Sequence, residues 1–328
     1  MQRIVAGIVT YNPEIPILRD LVGAIAGEVA AVVIVANSPM SAGDEAVLRE
    51  AADDTPIHID DPGDNIGLGS AYERIMARVD SGDADFHDVG HVILFDQDSS
   101  PPAGMVSALV ARMDMLRRMG EHPALIGPTP VSATPGHKAP SVYGHSSGRS
   151  VADSRAVWFA ISSGSVIDVA AFRDVGAFRS DFFIDAIDIE WCFRAWSAGY
   201  SCWTANDILM PHRLGGGHVT VPLIGWKLPV QSPPRLGTYA RNQAALLRAP
   251  HVPRHWKVRV CLYLAAQTVA YWLADHGRTA RPTSLVKGFA AGLAGRLGPP
   301  KGSARAAPTP VTAAKGRHPS PTRAAHEQ

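Results

Sequence analysis

Cysteine is almost missing from this chain. Cys192, Cys202 and Cys261 are the only three in 328 residues, and they stand far apart. That spacing builds neither a disulfide framework nor a zinc site, and it points to a reducing compartment, the cytoplasm. Long apolar runs are missing too. The charge-free stretch Val260–Ala274 is 15 residues, about 22 Å as a helix against a hydrocarbon core of about 30 Å, so a membrane span is not expected. Met1-Gln2-Arg3 leads straight into strand-like Ile4–Val9, which is not the layout of a signal peptide. Acidic residues fade late in the chain. Residues 248–328 hold 2 Asp/Glu against 13 Lys/Arg, whereas residues 1–247 hold 28 against 18. An acidic body with a basic end suggests that the end faces something anionic. No internal repeat is visible. The remainder, 46% hydrophobic and 19% charged, is long enough for one large or two small domains.

Short strand-like runs alternate with helical patterns. Strands are expected at Ile4–Thr10, Val32–Ala36, Ile57–Ile59, Val92–Phe95 and Ala124–Ile126, with helices near Ile15–Ala26, Asp44–Ala52, Leu68–Val79 and Met105–Met119. That alternation predicts βαβ units in a mostly parallel sheet. From Gly127 to Ser150 prolines, glycines and serines break the pattern, which reads as a hinge between two halves of one domain. Beyond it, Val157–Ile161 reads as strand, Val166–Val175 and Asp188–Ser197 as helix, and Tyr200–Ala205 as an edge strand.

The strand Val92–Phe95 stops on Asp96-Gln97-Asp98. In parallel sheets ligands gather at the carboxyl ends of strands, and two carboxylates there can hold a hard cation for a nucleotide diphosphate. Equally, Asp98 could cap the next helix. Thr10-Tyr11-Asn12-Pro13 ends the first strand, where an aromatic could stack a base, or where Asn12 and Pro13 simply begin a helix. Asn65-Ile66-Gly67-Leu68-Gly69 offers two glycines at a helix start, but the third glycine of a dinucleotide fingerprint is absent and Tyr72 stands there. That counts against a Rossmann-type oxidoreductase. Asp185, Asp188 and Glu190 sit within six residues, among large apolar ones. Glu190 and Arg194 form a helical i, i+4 pair, read as structural. The two aspartates could favour a helix dipole, or one could be a half-buried general base. His212 could complete a metal site begun by Asp98 or be an ordinary surface histidine.

In order and spacing, Val9-Thr10-Tyr11-Asn12, Asn65–Ala71, Phe95–Ser99, Ser163-Gly164, Phe183–Trp191, Pro211–Gly215 and Tyr239-Ala240-Arg241-Asn242 resemble the family-2 glycosyltransferases, in particular the bacterial rhamnosyltransferase-like branch. The resemblance implies a GT-A-type α/β fold over residues 1–247, with a nucleotide-sugar half to about 127 and an acceptor half from about 151. It implies transfer with inversion from a nucleotide-diphosphate sugar, dTDP-L-rhamnose first, to a lipid-linked or polysaccharide cell-envelope acceptor. Thr10, Tyr11, Asn12, Asn65, Gly67, Asp96 and Gln97 would lie around the donor. Asp98 and His212 would hold Mg²⁺ or Mn²⁺, and Asp188 would be the base. Ser163, Gly164, Asp185, Glu190, Trp191 and Arg241 would line the sugar and acceptor cleft. Asn37 stands where many relatives carry an aspartate for the base or ribose, and Ile187 where many carry an acid. UDP-galactofuranose or a UDP-hexose is the alternative donor, and a non-catalytic nucleotide-sugar-binding protein the alternative class.

Residues 248–297 read as a basic helical region. Val258, Leu262, Ala265, Val269 and Trp272 share one helix face, which would either pack on the domain or lie in a membrane surface. With the basic flanks, that implies a peripheral position at the inner face of the cell membrane, with no nucleic-acid partner. Residues 298–328, rich in Pro, Ala, Ser and basic residues, are expected to be disordered.

Overall fold

The computed structural model describes residues 3–133, 142–212, 218–221, 225 and 227–300. In the first half, Arg3–Thr10 (β1), Ala31–Ala36 (β2), Ile57–Asp60 (β3) and Val89–Asp96 (β4) alternate with Ile15–Ile25 (α1), Ala42–Ala51 (α2), Gly67–Val79 (α3) and Met105–Arg118 (α4). Pro123–Ser132 (β5) follows, then Tyr143–Gly144 (β6), Ser150–Val151 (β7), Ser154–Phe159 (β8) and Ser165–Asp168 (β9). Next come Val169–Val175 (α5), Ile187–Ser197 (α6) and Ser201–His212 (β10). A small hairpin of His218–Thr220 (β11) and Lys227–Pro229 (β12) precedes three helices, Pro233–Leu246 (α7), Arg254–Ala274 (α8) and Ala280–Leu293 (α9).

One large sheet runs β3-β2-β1-β4-β9-β5-β10-β8-β6, with β7 also paired to β8. The β3-β2-β1-β4 pairs are parallel, as is β5 with β10, while β9 enters antiparallel between β4 and β5. The halves expected on either side of the 127–150 segment therefore interleave in one sheet. Period-2 alternation gives the sheet two apolar faces. Ile4, Ala6, Ile8, Ile93 and Phe95 pack with α1, α2 and α4, and Val5, Val92 and Leu94 pack with α3, α5 and α6.

Several expectations are corrected. Val166–Val175 is not one helix: its first residues are the strand β9, and Asp168 caps α5 by accepting the Ala171 N–H at 2.7 Å. β10 is not an edge strand but lies between β5 and β8, continuing to His212. Asn12 and Pro13 do not start α1, whose N-cap is Glu14. Asp98 does not cap α4, whose N-cap is Gly104. Residues 134–141 of the broken segment and Arg213–Gly217 lie outside the described residues, as do 301–328 of the expected tail. Gly298 is anchored instead: its N–H donates to the Asp181 carbonyl at 2.7 Å and its carbonyl accepts from Arg241.

α7 packs tightly on α9 through glycines. A Cβ at Gly288 would stand 2.0 Å from the Gly237 carbonyl oxygen, and one at Gly292 would stand 2.0 Å from that of Arg241. Backbone cannot yield as a side chain does. Gly292→Ala is therefore expected to destabilise the protein by about 1–3 kcal/mol in chemical denaturation. Gly27→Ala, whose Cβ would meet nothing within 4 Å, should leave the midpoint unchanged.

Candidate active site

The strand order reverses between β1 and β4, which opens a crevice at their carboxyl ends. The two ends are tied together there. The Tyr11 N–H donates to Gln97 Oε1 at 2.6 Å, and Gln97 Nε2 donates to the Tyr11 carbonyl at 3.2 Å. A side-chain amide thus extends the ladder one step past the strands and fixes Tyr11, a residue that is 43% exposed. Thr10 is buried, and its hydroxyl has no hydrogen-bond partner among the described residues. Asn12 has a positive φ of 47° and donates its N–H to Ser38 Oγ at 2.7 Å. Asn37 is a buried strut. Its N–H donates to the Thr10 carbonyl at 2.9 Å and its Oδ1 accepts from Ile66 at 3.3 Å.

The glycines at the start of α3 admit a close approach of the chain's own backbone. Asn65 Oδ1 accepts the Gly67 N–H at 3.0 Å. Gly67 sits at φ 79°, where a Cβ would be 2.4 Å from the Phe183 ring, and a Cβ on Gly69 would be 2.5 Å from the Arg179 carbonyl. The Leu68 N–H donates to the Phe183 carbonyl at 2.6 Å. The close approach that these glycines permit is to the chain's own 179–183 segment, which removes the main support for a dinucleotide loop. Tyr72 is fully buried and donates its hydroxyl to Ser162 Oγ at 2.8 Å. Burial pushes its phenol well up, and the charges of Asp96 and Asp188 push it further, so Tyr72 feels both acids.

Ser163 ties β4 to the segment before β9. Its hydroxyl accepts the Asp96 N–H at 3.3 Å and shares a 2.8 Å hydrogen bond with the buried Ser99. Gly164 donates its N–H to the Leu94 carbonyl at 2.7 Å with φ 78°, against Met210. Burial raises the Asp96 carboxyl, and the charge of Asp98 adds to this. His212, the Ser163 hydrogen bond and Arg235 pull it back down. Asp96, Asp98, His212 and Arg235 thus share one electrostatic neighbourhood. Asp98 is exposed in the turn after β4, and His212 is half-buried at the end of β10. Among the described residues, no three His, Cys, Asp or Glu side chains stand close enough to cage a metal. The donor set nevertheless fits a hard ion of the Mg²⁺ kind, which takes one or two carboxylates and fills its other positions with water and substrate phosphates.

Asp188 lies in the first turn of α6, behind an unusual bend. Phe183, Asp185 and Ala186 have φ of 64°, 69° and 64°, a left-handed conformation that L side chains rarely adopt. Two buried residues of α7 hold that bend. Asn242 Nδ2 donates to the carbonyls of Phe182, Ile184 and Asp185 at 2.8, 2.7 and 3.0 Å. Arg241 donates to those of Phe182 and Gly298 at 3.0 and 2.5 Å. Asp188 accepts the Ile189 N–H at 2.8 Å. Burial raises its carboxyl to about 6, against the backbone N–H groups of Ile189 and Ser162, and the charge of Asp185 adds to the rise. A half-buried carboxylate with such a value suits a general base near neutral pH. Asp185 also sits high through burial, with Arg235 at 3.4 Å opposing the shift; its second oxygen has no partner among the described residues.

Three expected cleft residues lie behind the cleft instead. Glu190 is buried and pairs with Arg194 at 2.8 Å and His251 at 3.1 Å, and these partners outweigh burial and hold its carboxyl low. The ring of Trp191 is fully buried and donates to the Gly176 carbonyl at 2.9 Å. Arg241 faces the bend, as described. The residues missed in sequence are Tyr72, Ser162 and Arg235. Arg235 did leave a signal: it is a cation in the first turn of a helix, where the dipole disfavours positive charge.

The chain is 28% identical over 273 residues to the dTDP-rhamnosyl transferase RfbF of Shigella flexneri, covering 81% of this chain and 86% of that one. The structure of S. aureus TarS 1–349 in complex with UDP-GlcNAc aligns with a TM-score of 0.51 at 10% identity, over 90% of this chain and 92% of that one. Of a longer TarS chain, this protein spans 42%. GalNAc-T7, solved with UDP, GalNAc and Mn²⁺, aligns at 0.54 and 12% identity, over 84% of this chain and 58% of that one. These structural likenesses establish a shared fold. No protein-family model matches the chain.

Proposed function

We propose that this family-2-like glycosyltransferase of GT-A fold moves L-rhamnose from dTDP-L-rhamnose, with inversion, onto a hydroxyl of a lipid-linked or polysaccharide cell-envelope acceptor. The observation that carries the reading is Asp188, a half-buried carboxyl raised to about 6 and near enough to the β1–β4 crevice that it and Asp96 both act on the Tyr72 phenol. The curated relative's name supports the donor. Tyr11, held by Gln97, offers its ring to the base, and Asp96 approaches the ribose or sugar. Asp188 takes the proton of the acceptor hydroxyl as that oxygen attacks the anomeric carbon. The carbon–oxygen bond to the diphosphate breaks, and the nucleotide diphosphate departs from the opposite face. Asp98, with His212, would hold Mg²⁺ or Mn²⁺, which would neutralise charge on the leaving diphosphate. Arg235 adds a fixed positive charge nearby.

The test is a panel of nucleotide sugars in thermal shift with Mg²⁺ or Mn²⁺, followed by assay of nucleotide diphosphate release with lipid acceptor. At 100 times its dissociation constant the true donor stabilises by about 2.7 kcal/mol and should stand out. A larger shift with UDP-galactofuranose or a UDP-hexose would reassign the donor. A donor shift with no diphosphate released would make the protein a binding module. Chelation with EDTA is expected to stop release, and added Mn²⁺ to restore it. Asp98→Ala should need at least about tenfold more metal for half-maximal rate. Full activity in EDTA would remove the metal from the reading.

A further inference from the structure

One apolar surface lies outside the cleft chemistry. α8 is apolar on two sides. Trp256, Val260, Leu264, Ala270 and Tyr271 are buried against the body. The opposite stripe faces outward, with Val258 60%, Leu262 67%, Val269 56% and Trp272 48% exposed. Arg254, four residues before Val258, continues the same stripe, and Lys257 flanks it on one side; on the other the Arg259 guanidinium lies over the Tyr143 ring at 4.6 Å. A water-facing helix side normally carries charge. Here the outward face is as apolar as the docked one.

We infer that the outward face of α8 lies on an anionic lipid bilayer, with the basic residues at its amino end resting among the headgroups. Charge selects this occupant. Asp275 is the sole acid between residues 248 and 300, and its carboxylate is engaged by Arg281 at 2.5 Å. A second copy of α8 would set basic ends against one another if parallel, and if antiparallel would set them against the end where Asp275 is already paired with Arg281, so neither arrangement gives them a free acid from this region. The chain's own residues 301–328 offer Val311 alone among large apolar types and are themselves basic, so they match neither the stripe nor its charge. No described helix is long and apolar enough to cross a membrane, so α8 lies along the surface rather than through it. The inference rests on α8 and is independent of the identity of the sugar donor.

The full chain is to be co-sedimented with vesicles of phosphatidylglycerol and phosphatidylethanolamine, and with vesicles of phosphatidylcholine alone. The protein should pellet with the first and stay in solution with the second. The double substitution Leu262→Glu, Val269→Glu changes only exposed positions and keeps good helix formers. It should weaken vesicle binding by at least about tenfold, since both the apolar contact and the charge balance are lost, with an unchanged melting temperature. Three results would overturn the inference: no binding to the anionic vesicles, binding that the double variant retains in full, or a dimer in light scattering that the variant dissolves. The last would assign the stripe to a second copy of the chain.

Discussion

Asp188→Asn is expected to lower turnover by about 10²–10⁴ while donor binding persists, because the amide keeps the shape but cannot accept the acceptor's proton. Two further signatures separate this from a merely structural role. The wild-type rate should fall on the acid side with a midpoint near the value of about 6 set by burial, and the variant's residual rate should lack that limb. Stability should move the other way. A carboxyl raised from 3.8 to about 6 on folding contributes stability that is fully present below 3.8 and lost as pH rises through about 6. At pH 8 the ionised, desolvated Asp188 therefore costs about 3 kcal/mol. Asp188→Asn should melt higher than the wild type at pH 8, and the gain should vanish as the pH falls below 4. Near-normal turnover in the variant, or a flat wild-type rate between pH 5 and 7, would take Asp188 out of the base role.

Asn242→Asp is expected to do the greatest harm away from the reacting atoms. The wild-type amide donates to three carbonyls in a bend with three left-handed residues. A carboxylate of the same shape would place negative charge against those carbonyls in a buried site. Asn242→Ala would instead leave the Ile184 and Asp185 carbonyls without that donor, while Phe182 keeps Arg241, at about 1–3 kcal/mol for each buried group not rescued by water. Both variants should lose several kcal/mol in denaturation, with the aspartate worse at pH 8 than at pH 5. The bend also sets the start of α6, so turnover should drop even at temperatures where the variants remain folded. Thermal shift by the nucleotide diphosphate alone should survive, because the Tyr11–Gln97 clasp is held between the ends of β1 and β4 and not by α7. An Asn242→Asp protein with wild-type stability and rate would show that the bend needs no such support.

The site was legible where local pattern and chemistry coincide. Asp96 and Asp98 stood out because an apolar strand ended on them, and Asp188 because it opened a helix among large apolar neighbours. The errors came where orientation or pairing decides. Glu190 is two positions from Asp188, about 200° round the helix, so one facing the cleft turns the other away from it. β9 was read as helix because Val166 to Phe172 is largely apolar with no break to mark the strand's end, and only its pairing with both β4 and β5 makes it a strand. α7 escaped notice because its buried face is polar: Arg241, Asn242 and Gln243 turn inward to serve another segment. Apolar periodicity cannot reveal a helix whose purpose is to supply hydrogen bonds. The outward stripe of α8 was legible as a stripe. Its direction was not, since both sides of that helix are apolar.

The insertion of β9 between β4 and β5 has a consequence for how the molecule is made. A ribosome delivers β4 and β5 well before residues 165–168. Until those four residues emerge, two apolar strand edges in the middle of the future sheet have no neighbour. Such edges readily pair with other chains. Synthesis therefore passes through a period in which the centre of the sheet is open; β9 closes the gap between β4 and β5 from within, and the outer edge of β5 waits for β10. A nascent chain arrested before residue 165 should be more prone to aggregate than one arrested after α5.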